Sequence, residues 1–157
     1  MLTLWEPGQE GAWLDSFRVR TPFQPRYCEI DAYGHVSVVM YDAYFEQGRV
    51  DYFTSIGDPE GGKEPFPFAH VIAEQSIRYI GSCYFREELE VLTKLTELGR
   101  SSATVEQAIV DRDQAMRAIA STVIVHNDGK QNHSWTPAQR EAIAKFEGFL
   151  TSSVREF

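Results

Sequence analysis

Cysteine is nearly missing from this chain: Cys28 and Cys83 are the only two in 157 residues. Neither stands in a CxxC or Cys/His spacing, so zinc and dithiol redox sites of the usual kind are excluded. Two free, half-buried thiols and a reducing, cytoplasmic location are expected. Long apolar runs are missing as well. No segment approaches membrane-spanning length, and Met1 to Asp15 lacks a basic stretch followed by an apolar run, so it reads as neither signal peptide nor anchor. Positive charge is scarce, with 15 Lys and Arg against 23 Asp and Glu and a net charge of -8. Charge-driven binding to nucleic acid or to anionic membranes needs a sizeable basic surface, so both partners are excluded. An anionic ligand must find a local cluster of placed cations.

What is present is the composition of a folded domain, 43% hydrophobic and 13% aromatic. A chain of this length buries a continuous core without staples, so residues 1–157 are expected to form one domain. Residues 1–15 read as an irregular lead-in whose tryptophans, Trp5 and Trp13, lie down on the domain. Ser16 to Arg20 alternates as a first strand, and Pro22 and Pro25 push Thr21 to Arg26 toward a sheet edge or bulge. From Val36 to Ile56 the period becomes helical: Tyr41, Phe45, Gly48, Tyr52 and Ile56 recur at three and four, with Asp42, Glu46 and Arg49 on another face. Gly48 weakens a helix by about 1 kcal/mol relative to Ala, which implies close approach of another backbone. Gly57, Asp58 and Pro59 end the helix, and Gly61 to Pro67 is a loop.

The remainder reads as strands. Ala69, Val71, Ala73, Gln75, Ile77 and Tyr79 share one parity; Leu89 to Leu95, Val105 to Val110 and Met116 to His126 follow, implying a four-stranded antiparallel meander. Thr136-Pro137 opens a short terminal helix to about Phe146, within a C-terminal helix and tail over 137–157. A single long helix that is apolar nearly all round demands burial on most sides, which an antiparallel sheet wrapped around it supplies. The expected class is α+β, a hotdog fold. One such sheet leaves an edge, so a homodimer or homotetramer is expected to pair two sheets.

The segment Arg26-Tyr27-Cys28-Glu29-Ile30-Asp31-Ala32-Tyr33-Gly34-His35-Val36, leading into Tyr41, Phe45-Glu46 and Arg49, resembles the 4-hydroxybenzoyl-CoA thioesterase family of hotdog proteins. The resemblance continues through Ile77-Arg78-Tyr79, Glu88-Leu89-Glu90-Val91 and Glu97-Leu98-Gly99-Arg100-Ser101-Ser102, and so covers roughly residues 16 to 145. It implies an acyl-CoA thioesterase needing no metal and no cofactor beyond the coenzyme A of its substrate. Two further readings stay open: a thioesterase acting on acyl groups held by a carrier protein, and a non-catalytic acyl-CoA-binding protein. The chain departs from the family's Gly-His-Val-Asn-Asn, carrying Ser37-Val38 where the two asparagines stand, which removes a polar side chain from the helix start.

Thioester hydrolysis requires an activated water or a nucleophile, and donors aimed at the oxygen that becomes negative. Asp31, just before a helix start, suits the first task as general base or nucleophile; its purely structural alternative is a turn or cap residue. The unpaired amides and positive end of the helix suit the second, Val38 above all, with Ser37 and Val39 beside it. His35 is a secondary catalytic candidate, and Gly34 and Tyr41 are expected to border the substrate. Arg100 and Ser101 match the family's phosphate-contacting turn, with Arg78 and Lys94 as weaker alternatives. Glu46 is a minority alternative to Asp31, its ordinary role an i, i+3 pair with Arg49. Glu74 is placed on a strand that could face the cavity.

Overall fold

A computed structural model describes residues 1–62 and 66–148 of the chain. Five strands, β1 (Val19–Phe23), β2 (His70–Tyr79), β3 (Leu89–Leu98), β4 (Ser102–Asp111) and β5 (Met116–His126), form one antiparallel sheet in the order β1-β3-β4-β5-β2. Three α-helices, α1 (Glu10–Asp15), α2 (Met40–Ile56) and α3 (Pro137–Glu147), and a 3-10 turn at Tyr27–Glu29 complete the order among the described residues. The sheet does not close: β1 and β2 are its two edges.

Alternation of side chains divides the core into layers. On one face Val91, Leu95, Val105, Ile109 and Ile124 meet Tyr41, Phe45, Tyr52 and Phe53 of α2. Phe45 and Tyr52 are wholly excluded from solvent, each such burial being worth about 2–3 kcal/mol. On the other face Leu92, Ala108, Val110 and Ile119 are covered by Trp13, Leu14 and Phe17. The central strands are buried on both sides, and α2 lies across the sheet as the hotdog class requires.

Several expectations are corrected in detail. The lead-in is not wholly irregular, since Glu10–Asp15 is helical and buries Trp13 and Leu14. The first strand runs from Val19 to Phe23 and includes Pro22, which an edge strand tolerates. α2 starts at Met40; Val36 instead bridges to Ile30. Gly48 is approached most closely by side chains of the sheet, in place of the expected backbone: a Cβ there would lie 2.6 Å from Val91 Cγ1, 2.7 Å from Thr93 Oγ1 and 2.8 Å from Gln107 Nε2. Only β3, β4 and β5 form a meander. β2 crosses over to pair with β5, and a bulge between Ile72 and Glu74 breaks its single parity. Cys28 is exposed and Cys83 fully buried, so neither thiol is half-buried.

α3 opens as expected. Thr136 caps it, its side chain accepting from the Gln139 N–H while Gln139 reaches back to the Thr136 N–H, and Gly148 closes it in the left-handed region at φ 75°. The tail over 149–157 and part of the Gly61 to Pro67 loop, residues 63–65, lie outside the described residues.

Candidate active site

The polypeptide reaches Asp31 through a short 3-10 turn, Tyr27–Glu29, and leaves it through a tight loop. Ile30 bridges antiparallel to Val36, the Asp31 N–H donates to the His35 carbonyl at 2.8 Å, and the Gly34 N–H donates to the Asp31 carbonyl at 3.1 Å. Gly34 takes φ 82°, a left-handed conformation that a side chain would resist. The carboxylate completes the loop, its Oδ1 accepting from the Tyr33 N–H at 2.8 Å and the His35 N–H at 3.2 Å. Asp31 therefore is a turn residue as well as a candidate catalyst. Its Oδ2 has no hydrogen-bond partner among the described residues, and the side chain is half-buried. One oxygen is fixed while the other is free to act.

Immediately after this loop the backbone offers donors. The Val36 N–H donates to the Cys83 carbonyl, Ser37 to Glu29, Met40 to Ser37 and Tyr41 to Val38. Between them, the amides of Val38 and Val39 have no acceptor among the described residues, and no side chain caps the helix. Both residues face solvent, 55% and 71% exposed. Two free N–H groups at the positive end of a 17-residue helix form a ready receptor for developing negative charge. The Asn-to-Val departure at position 38 leaves this intact, because the donor is main chain.

The other expected residues divide into those near Asp31 and those remote from it. His35 sits in the loop, its ring edge-on to Tyr84 at 5.4 Å. Tyr41 is buried against Tyr79, and burial raises its phenol pKa well above the usual value. Arg100 and Ser101 lie in the turn between β3 and β4, at the opposite end of the sheet. A ten-residue strand separates the two ends, about 30 Å at some 3.3 Å per residue. One chain alone does not bring them together. At that end the Trp135 N–H donates to the Arg100 carbonyl, the Trp135 indole N–H donates to Ser102, and its ring stacks on His126.

Three alternatives are removed from the helix face. Glu74 pairs with Val123 and is exposed on the side away from α2; Arg78 and Lys94 also lie on that side, Arg78 bonded to the Leu2 carbonyl and Lys94 to Ser16. Glu46 is exposed on α2 and makes no ion pair with Arg49 among the described residues. Arg49 is instead 4% exposed and donates to Gln107 Oε1 at 3.1 Å. Burial pulls its pKa below the usual arginine value, with the carboxylates of Glu46 and Asp42 acting in the opposite sense.

Sequence reasoning missed Glu29. Its side chain is 5% exposed and accepts from the Arg26 N–H at 2.6 Å, Arg26 Nε at 3.0 Å and the Tyr44 hydroxyl at 2.8 Å. Burial alone would raise its pKa, but these donors outweigh it and the net shift is downward. A depressed carboxylate stabilises the fold above its ordinary pKa and ceases to do so as pH falls through the lowered one. Glu29→Gln should therefore be less stable than wild type at pH 7, the gap closing as acid protonates Glu29; urea midpoints at the two ends of that range measure it.

An open cleft of about 560 Å³ lies between Pro22, Phe23 and Gln24 and the residues where β3 begins and β4 ends, Glu88, Asp111 and Arg112. It contains none of the expected residues. Among the described residues no three His, Cys, Asp or Glu side chains gather to hold a metal ion, and no helix is long and apolar enough to cross a membrane.

A five-stranded antiparallel sheet packed against one long helix is the hotdog arrangement. Residues 25–150 match the model of the thioesterase-like superfamily, and the chain belongs to that family. A thioesterase from Thermus thermophilus, solved with coenzyme A and Zn, is 26% identical and aligns over 85% of this chain and 97% of its own with a TM-score of 0.76. The uncharacterized protein YsmA of Bacillus subtilis strain 168 is 27% identical over 139 residues, 87% of this chain and 91% of that one. A DHNA-CoA thioesterase from Staphylococcus aureus shares the fold, with a TM-score of 0.72 at 20% identity over 88% of this chain and 97% of its own.

Proposed function

We propose that the chain hydrolyses acyl-coenzyme A thioesters to the free acid and coenzyme A, with Asp31 as general base or nucleophile. The observation that carries this reading is a carboxylate with one anchored and one free oxygen, on the loop that leads directly into the two unclaimed amides of Val38 and Val39 at the start of α2. As a base, Oδ2 takes a proton from water while the water oxygen adds to the carbonyl carbon. The carbonyl oxygen becomes negative and is held by the amides, each such donor being worth about 3 kcal/mol in other enzymes. The carbon–sulfur bond then breaks and the departing thiolate takes up a proton. As a nucleophile, Oδ2 attacks the same carbon, the carbon–sulfur bond breaks with the thiolate taking up a proton, and water then cleaves the resulting anhydride to the free acid and the Asp31 carboxylate.

The coenzyme A phosphates need cations, and the Arg100–Ser101 turn is too far from Asp31 within one chain. The open edge β2 supplies a solution. Its Tyr79 end lies against Tyr41 on the Asp31 side, and its His70 end pairs with His126, whose N–H donates to Ser101. Val71, Ile72, Tyr79 and Ile80 leave apolar surface exposed along it. Two copies pairing β2 antiparallel about a two-fold axis set the His70 end of one beside the Tyr79 end of the other. Arg100 of a second copy then flanks Asp31, and the homodimer holds two composite sites.

The test is turnover of a panel of aliphatic and aromatic acyl-CoA thioesters beside the same acyl groups on a carrier protein. Hydrolysis of the coenzyme A forms supports the reading; preference for the carrier-bound forms moves the substrate, and tight binding of coenzyme A with no turnover makes the chain a binding protein. Arg100→Ala should raise KM for acyl-CoA about tenfold or more, the loss of one charge-assisted contact, with kcat nearly unchanged. Acyl-pantetheine, which lacks the nucleotide, should not notice the change; an equal loss on both substrates would remove Arg100 from the phosphate site.

A further inference from the structure

Glu29 takes part in no step described so far, yet each of its contacts leads to a different part of the candidate site. Its carboxylate holds the turn through the N–H and guanidinium of Arg26 and reaches the body of α2 through the Tyr44 hydroxyl. Its own carbonyl accepts from the Ser37 N–H at 2.8 Å, one residue before the free amide of Val38. Two residues after Glu29, the chain delivers Asp31. Tyr44 is itself immobilised, buried beside Phe23 with ring centroids 4.3 Å apart.

We infer that Glu29 is a positioning residue of the Asp31 site, clamping the 27–31 turn to α2 from two sides so that the Asp31 carboxylate and the Val38 and Val39 amides face one reacting carbonyl. The inference rests on the reading of Asp31 and those amides given above. Its physical basis is that hydrolysis requires the base and the oxyanion donors at fixed separation, and a displacement of about 1 Å costs up to about a hundredfold in rate. Asp31 and Val38 sit on different segments, a loop and a helix start. Glu29 stands two residues before Asp31 in the chain and is bonded to the helix side twice, its carbonyl to the Ser37 N–H and its carboxylate to the Tyr44 hydroxyl. A carboxylate serving only to stabilise the fold would contribute to unfolding free energy and leave the rate per folded molecule alone.

The experiment measures kcat, KM and thermal midpoint for wild type, Asp31→Asn, Glu29→Gln, Tyr44→Phe and the Glu29→Gln/Tyr44→Phe double variant on one acyl-CoA. Glu29→Gln is expected to lower kcat by about tenfold to a hundredfold with KM nearly unchanged. Tyr44→Phe, which removes one hydroxyl and keeps the ring, is expected to lower kcat in the same manner. The double variant should be slower than wild type by less than the product of the two single effects, because both act on one hydrogen-bonded cluster of Glu29, Arg26 and Tyr44. Wild-type kcat in Glu29→Gln and Tyr44→Phe, with only the midpoint lowered, overturns the inference while leaving Asp31 in place if Asp31→Asn is inactive. A fully active Asp31→Asn, or a wild type without turnover, overturns the reading of Asp31 and this inference with it. Should Glu29→Gln fail to fold, Tyr44→Phe alone decides by the same split between kcat and KM.

Discussion

Asp31→Asn is expected to lower kcat by about two to four orders of magnitude, the usual contribution of a positioned acid–base group, with KM and stability close to wild type. The geometry makes this substitution unusually clean. The amide oxygen of Asn still accepts from the Tyr33 and His35 N–H groups at the Oδ1 position, so the loop keeps its shape. What changes is the other position, where a free carboxylate oxygen becomes an NH2 that can neither take a proton nor attack carbon. Alanine would be less informative, since it removes the turn contacts together with the chemistry. Kinetics on a coenzyme A thioester, alongside a thermal melt, separate the two contributions. Retention of wild-type kcat would make Asp31 a turn residue and nothing more.

The largest expected effect on stability lies in the middle of α2. By helix propensity alone, replacing Gly48 should help the helix, by about 1 kcal/mol for alanine. The packing dictates the opposite sign. A Cβ would lie under 3 Å from atoms of Val91, Thr93 and Gln107. Val91 and Thr93 are short, branched and buried in the sheet, and Gln107 is held by bonds to Phe45, Thr93 and Arg49. None of the three can step aside cheaply. Gly48→Val, which adds two more carbons beyond the Cβ, is expected to cost about 3 kcal/mol or more, lowering the thermal midpoint by roughly 6–12 °C at the scale of a chain this long. A midpoint at or above wild type would show that α2 can lift from the sheet without loss.

Helical spacing and strand alternation made the long helix, the central strands and the hotdog class readable in the sequence, because period and burial coincide there. Departures arise where one residue's fate depends on a partner distant along the chain. Arg49 carries a charge and reads as surface, yet Gln107, 58 positions later, accepts its hydrogen bond inside the core. Glu29 has no local signature, since its decisive partner, Tyr44, is 15 residues on. The pairing of β2 with β5 is nonlocal, and no turn signal announces it. α1 spans only 6 residues, begins beside Gly8 and includes Gly11, so its helical period hardly registers. Asp31 is singled out through a motif, with a turn role weighed beside catalysis; the coordinates add the bonds of that turn role, from the Tyr33 and His35 N–H groups to Oδ1.

The stacked pair formed by Trp135 and His126, with planes 1° apart at 4.6 Å, has a practical consequence. Of the three tryptophans in the chain, Trp5 and Trp13 lie together on the face away from α2, and only Trp135 touches the Arg100 turn. Indole emission therefore reports on the surroundings of that turn, against a background from the other two. Under the proposed docking of the coenzyme A nucleotide at Arg100, a stopped-flow trace of that emission should follow ligand arrival without any added label.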